Sequence, residues 1–110
     1  MNEKIKSELD NIVQTLVDTG IVSRIILFGS CARGEETPNS DIDLCVLTPI
    51  KNKRPIELIV DFQLKLMDVK TMPVDIFAYN QDAFYDRATN RLASFHHEIA
   101  ETGVLLYDRV

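Results

Sequence analysis

Residues 25–46 read Ile25-Ile26-Leu27-Phe28-Gly29-Ser30-Cys31-Ala32-Arg33-Gly34-Glu35-Glu36-Thr37-Pro38-Asn39-Ser40-Asp41-Ile42-Asp43-Leu44-Cys45-Val46. An apolar run, Ile25 to Phe28, stops at Gly29-Ser30. Ten residues, Cys31 to Ser40, separate it from two acids one residue apart, Asp41 and Asp43. Those acids open a second apolar run through Leu44, Val46 and Leu47. The pattern predicts two buried strands joined by a polar loop, the first ending in a glycine and the second beginning with paired carboxylates.

Side chains alternate faces along a strand, so Asp41 and Asp43 share one face while Ile42, Leu44 and Val46 take the other. Two carboxylates on one face repel each other and resist burial unless a cation sits between them. Oxygen donors of this kind suit Mg²⁺ or Mn²⁺. Gly29 lets backbone approach a ligand closely, and Ser30 offers a hydroxyl as well as an N–H. If residues 30–34 open a short helix, their free amides form an anion site. Phosphate donors beside a metal-binding acid pair point to a nucleoside triphosphate with bound Mg²⁺.

Gly29-Ser30, ten residues, then Asp41-Ile42-Asp43 resembles the signature of the DNA polymerase β-type nucleotidyltransferase superfamily. The fuller string, Gly-Ser-x-Ala-Arg-Gly ending in Ser-Asp-Ile-Asp-Leu, is similar to its minimal members. These are small antitoxin nucleotidyltransferases paired with HEPN-domain ribonuclease toxins. The signature spans about a fifth of the chain, and the likeness in length and element order spans nearly all of it.

At 110 residues the chain is expected to form one domain, residues 1–110, with a single core. A 45% hydrophobic and 26% charged composition is ordinary for a soluble globular chain. No apolar run reaches the length of a membrane span and no secretory signal opens the sequence. Cys31 and Cys45 lack metal-ligand spacing, and Cys45 reads as a buried free thiol; a reducing cytoplasm is the expected compartment. The net charge of −5 argues against direct binding of nucleic acid and favours a basic protein partner.

Around the central stretch the periodicities predict an α/β chain. Residues 2–19 carry Ile5, Leu9, Ile12 and Leu16 at helical spacing, with Gly20 as the stop. A helix over the sheet is the plain reading and a docking helix the other. Val22 to Phe28 is the first strand and Asp41 to Leu47 the second. Lys51, Asn52, Lys53 and Arg54 form a basic loop, either solvated or meeting phosphate or an acidic partner. Pro55 to Lys70 is a second long helix, Pro55 in its first turn, with Ile59, Phe62, Leu66 and Val69 as its core stripe and Met67 beside them. Val74 to Tyr79 is the third strand. Its Asp75 is either an edge-strand acid facing water or a third carboxylate of a metal site. Residues 80–101 read as a helical tract with Phe84, Ala88, Leu92, Phe95 and Ile99 inward and a break near residues 86–90. His96 and His97 point about 100° apart on a helix and are read as surface or core-edge residues rather than ligands. Val104 to Tyr107 is a candidate fourth strand, with Tyr107 packing.

The resemblance implies a polymerase β-like nucleotidyltransferase fold, a small mixed sheet with helices packed against it, its first two strands antiparallel and its site at one end. It implies Asp41, Asp43 and Asp75 as catalytic and metal residues holding two Mg²⁺ ions, Gly29 and Ser30 on the β- and γ-phosphates of ATP, and Asp75 as proton acceptor. Arg33 is either a solvated side chain or one that acts near phosphate or braces the loop. Ser40 either orients Asp41 or is an exposed hydroxyl. About eight residues follow Thr102, so the acceptor site is expected to be completed by a partner or a second subunit. The minimal members transfer AMP from ATP to a tyrosine of the cognate HEPN toxin. The competing expectations are transfer to a small hydroxyl compound of the aminoglycoside type and a non-catalytic antitoxin that acts by occlusion.

Overall fold

The computed structural model describes residues 3–37, 39–90 and 94–109. In chain order the elements are α1 (Glu3–Val17), β1 (Arg24–Phe28), α2 (Gly29–Ala32), β2 (Ile42–Thr48), α3 (Pro55–Leu66), β3 (Val74–Asn80), α4 (Gln81–Asn90), α5 (Phe95–Thr102) and β4 (Val104–Asp108). The four strands form one mixed sheet in the order β3-β2-β1-β4. β1 runs antiparallel to β2 and to β4, whereas β2 and β3 are parallel. A parallel pair needs a long crossover, which α3 supplies.

Strand alternation divides the core into two layers. Ile25 and Leu27 of β1, Ile42, Leu44 and Val46 of β2 and Val74, Ile76 and Ala78 of β3 meet Ile5, Leu9, Ile12 and Leu16 of α1 and Leu58, Phe62 and Leu66 of α3. The intervening residues Ile26, Cys45 and Leu47 meet Phe84 of α4 and Ile99 of α5. Helices thus cover both sheet faces, which is why β1 and β2 read as near-continuous apolar runs. Leu106 is an extra residue in β4, because Ile25 pairs with Tyr107 and Ile26 with Leu105. Tyr107 packs against the α1/α3 layer, as expected.

One carboxylate is buried in that layer for a structural purpose. Glu8 of α1 accepts from the Thr71 hydroxyl at 2.7 Å and from the Thr71 backbone N–H. It ties α1 to the turn before β3. Removing it orphans a backbone donor, so Glu8→Ala is expected to cost about 2 kcal/mol, read as a lower urea midpoint at unchanged slope.

Three details depart from the sequence pattern. The tract over residues 80–101 restarts at α5, where the Ser94 hydroxyl caps the helix by accepting from His97 N–H at 3.0 Å. Leu92 lies outside the described residues. Leu58 joins the α3 core stripe, and Met67, expected beside that stripe, is 64% exposed. The cations of the 51–54 loop sit in surface ion pairs: Lys53 with Asp61, Arg54 with Glu57 and Lys51 with Asp82. His96 stacks on Tyr79 and Phe84, and His97 Nδ1 meets the Ala88 carbonyl at 3.0 Å, so both are core-edge residues. Among the described residues no helix is long and apolar enough to cross a membrane.

Candidate active site

The end of β1 and the starts of β2 and β3 lie at the same edge of the sheet. Phe28, the last residue of β1, pairs with Asp43 of β2, and Asp43 pairs with Asp75 of β3. Neighbouring strands stand about 4.8 Å apart. The register therefore brings two carboxylates from distant parts of the chain side by side, on the face that α4 and α5 cover further along. Asp41 stands just before β2, at the mouth of the strand, and is exposed. Asp75 is exposed as well, and β3 is an edge strand. Asp75 faces water, as the first of its two readings had it, and stands next to Asp43 in register.

Asp43 is the half-buried member. Burial raises its carboxyl above the ordinary carboxylate range, and the charges of Asp75 and Asp41 and a hydrogen bond with Asp75 push the same way. The Arg33 charge pulls it back down. Ionised together, these acids lack the positive charge that would balance them. The donors are hard oxygens, which suits Mg²⁺. Among the described residues no three His, Cys, Asp or Glu side chains are gathered into a ready metal cage. Mg²⁺ keeps part of its shell for water and substrate phosphates and takes only one or two carboxylates.

Gly29 lies against Asp43. Its φ is +76°, a left-handed conformation, and a Cβ there would overlap Asp43 Oδ2 and come within 3.1 Å of Asp43 Cγ. The chain turns directly from β1 into the short helix α2 because glycine alone allows both the angle and the contact. Ser30 and Cys31 fall in the first turn of α2, where N–H groups have no partner within the helix. Arg33 follows α2, pairs loosely with Glu35 at 3.3 Å and stays exposed. It also lines a cavity of about 220 Å³ with Phe28, Gly29 and, from α5, Phe95, Glu98 and Thr102. The Ser40 hydroxyl accepts from Thr37 N–H at 2.7 Å and so closes the loop ahead of Asp41.

The periodic reading missed the wall of this site. Phe28, Phe77 and Phe95 form a ring cluster with centroids 5.3–5.6 Å apart, and Phe95 remains 43% exposed. Phe95 matched the inward stripe of the 80–101 tract. The capping serine before it was the available sign that α5 starts afresh. Cys45 is buried between the sheet and helices α4 and α5, its thiol pushed up to about 12 by burial.

A glycine at the β1–α2 junction lies on Asp43, and Asp75 stands in register beside that carboxylate. The chain belongs to the polymerase beta nucleotidyltransferase family, whose sequence profile matches residues 10–110. It is 30% identical over 88 residues to a Methanocaldococcus jannaschii protein named protein adenylyltransferase, covering 80% of this chain and 81% of that one. Among solved structures it is similar to a nucleotidyltransferase from Sulfolobus solfataricus, with a TM-score of 0.57 and 19% identity over 99% of this chain and 90% of the other. It also resembles a mutant of the toxin-antitoxin MntA-HpeT, with a TM-score of 0.54 and 23% identity over 99% and 74% of the two chains. A further likeness is to a toxin-antitoxin with AMP-PNP, with a TM-score of 0.51 and 24% identity over 91% and 73%. At those identities the structural likenesses establish the fold.

Proposed function

We propose that this chain is a cytoplasmic protein adenylyltransferase antitoxin that transfers AMP from ATP to a tyrosine of a cognate HEPN-domain ribonuclease toxin. The observation that carries the reading is the packing of Gly29 on Asp43 with Asp75 in register beside it. The relative named protein adenylyltransferase supports the reaction class. The fold shared with toxin-antitoxin structures supports the setting.

In this proposal Gly29 and Ser30 present backbone N–H groups and a hydroxyl to the β- and γ-phosphates. Asp41, Asp43 and Asp75 hold Mg²⁺, two ions in all, with the triphosphate completing the shell. Bound Mg²⁺ supplies charge neutralisation at the phosphates and lowers the pKa of the acceptor hydroxyl. Asp75, open to solvent and beside Asp43, accepts the proton of the attacking tyrosine hydroxyl. The tyrosine oxygen bonds to the α-phosphorus as the bond to the β-phosphate oxygen breaks, and pyrophosphate leaves. Arg33, near Asp43 and on the cavity wall, offsets the negative charge around the triphosphate. Ser40 serves by holding the loop that leads into Asp41.

Incubating the protein with its toxin, ATP and Mg²⁺ tests the reading. The expected result is a mass gain of one AMP on a toxin tyrosine, with protection of cells at substoichiometric amounts and loss of both in Asp41→Asn. An unmodified toxin, with Asp41→Asn as protective as the wild type, would replace catalysis by occlusion. Transfer to an aminoglycoside-type hydroxyl compound but not to the toxin would move the acceptor class.

A further inference from the structure

An exposed aromatic ring stands in the wall of the carboxylate site, and the proposed transfer leaves it without a task. Phe28, Asp43 and Asp75 form one cross-strand row on the sheet face that α4 and α5 cover. Ile26, Cys45 and Phe77 form the next row inward. Phe28 and Phe77 therefore border the two carboxylates, one from β1 and one from β3. Phe95, the first residue of α5, meets both rings edge-on, its centroid 5.5 Å from that of Phe28 and 5.3 Å from that of Phe77. Those contacts hold one side of the Phe95 ring, and much of the rest is open to solvent. A lone exposed apolar residue is ordinary. This one is fixed by two neighbours and lines the cavity of about 220 Å³ that reaches Gly29 and Arg33.

The position of that cavity selects which part of a substrate meets the ring. It lies between α5 and the β1–α2 junction, next to the residues proposed to hold the phosphates. Asp75, the proposed proton acceptor, stands on the other side of β2, on edge strand β3. An in-line displacement sets the attacking and leaving oxygens on opposite sides of the α-phosphorus. The acceptor then comes over β3, and the nucleotide occupies the β1 side. The cavity is smaller than the roughly 300–1,000 Å³ of a pocket that encloses a whole drug-sized ligand, so it takes one ring system. Its lining suits a base: an aromatic surface to stack on, with Glu98 and Thr102 of α5 offering oxygens to N–H groups.

We propose that Phe95 is the stacking platform for the nucleobase of the bound nucleoside triphosphate. This rests on the phosphate-and-carboxylate site proposed above and adds where the base lies. Every base has a π face, so the ring adds affinity and position without choosing strongly among bases.

Calorimetric titration of the full chain in Mg²⁺ tests this with two probes, a non-hydrolysable ATP analogue and inorganic tripolyphosphate. Phe95→Leu keeps an apolar side chain over Phe28 and Phe77 but removes the π face. It should weaken the analogue roughly tenfold, the usual size of a lost base stack, and leave tripolyphosphate unchanged. The chain has no tryptophan, so Phe95→Trp sets a single fluorophore at this place. The analogue should quench it and tripolyphosphate should not. Thermal melts confirm that both variants fold. Analogue and tripolyphosphate held equally tightly by the wild type would overturn the proposal and leave the phosphate site standing. So would wild-type affinity for the analogue in Phe95→Leu; a raised KM for the toxin alone would then assign the ring to the acceptor. A wild type that binds neither probe would remove the phosphate site and this inference with it.

Discussion

Asp43→Asn is expected to lower AMP transfer by about a thousandfold or more while leaving the protein at least as stable as the wild type. The activity loss follows from removing the one half-buried carboxylate of the site; several kcal/mol of transition-state stabilisation is ~10³ in rate. The stability result follows from the raised carboxyl. Burial first, then Asp75 and Asp41, hold its folded pKa above 3.8. The folded chain therefore binds this proton more tightly than the unfolded chain does. The favourable contribution is complete below the ordinary carboxylate pKa and is lost as pH rises through the raised folded value. At neutral pH the ionised carboxylate is a burden on the fold, and asparagine removes it. Thermal melts between the ordinary and raised values should show the wild type losing ground to the variant as pH rises. Mg²⁺ with a non-hydrolysable nucleotide should stabilise the wild type by about 2.7 kcal/mol at a hundred times its Kd, and the variant far less. Full transfer activity in Asp43→Asn would remove this carboxylate from the mechanism.

Gly29→Ala is the second large effect, and it should strike stability and activity together. A φ of +76° costs an alanine about 1–3 kcal/mol. The added methyl must also displace the Asp43 carboxyl that lies on Gly29. Misplacing a reacting group by about an ångström costs on the order of 10² in rate. Gly20 separates the two costs. Its φ is +79°, but nothing lies within 4 Å of a Cβ built there. Gly20→Ala should lose about 1 kcal/mol of stability and no activity. Equal activity in the two variants would mean that the contact between Gly29 and Asp43 has no catalytic weight.

The local grammar of the chain carried much of this in advance. The apolar runs around Gly29 and Asp43 marked β1 and β2, and Pro55 marked the start of α3. The stripe of α1 came from spacing alone. The alternation Val74-Asp75-Ile76 placed the third acid on one strand face before any partner for it was known. The resemblance anticipated the mixed sheet and its antiparallel first pair. Local patterns were less able to say how elements combine. The periodicity over residues 80–101 came with a break expected near residues 86–90, yet the restart falls at Ser94, where a capping hydroxyl satisfies a free N–H. Whether Ser40 orients Asp41 or stands as a loop hydroxyl was open from its neighbours, and the fold gives it the Thr37 N–H to accept from.

The sequence by itself determined which residues alternate, which recur at helical steps, and where a glycine had to interrupt them, because those are properties of neighbours along the chain. Only the tertiary structure decided that Asp75 stands beside Asp43, that Asp43 rests on Gly29, and that the Phe95 ring is left exposed. Register between strands and the choice of covered face depend on how layers pack over long sequence separations, where no local period reaches.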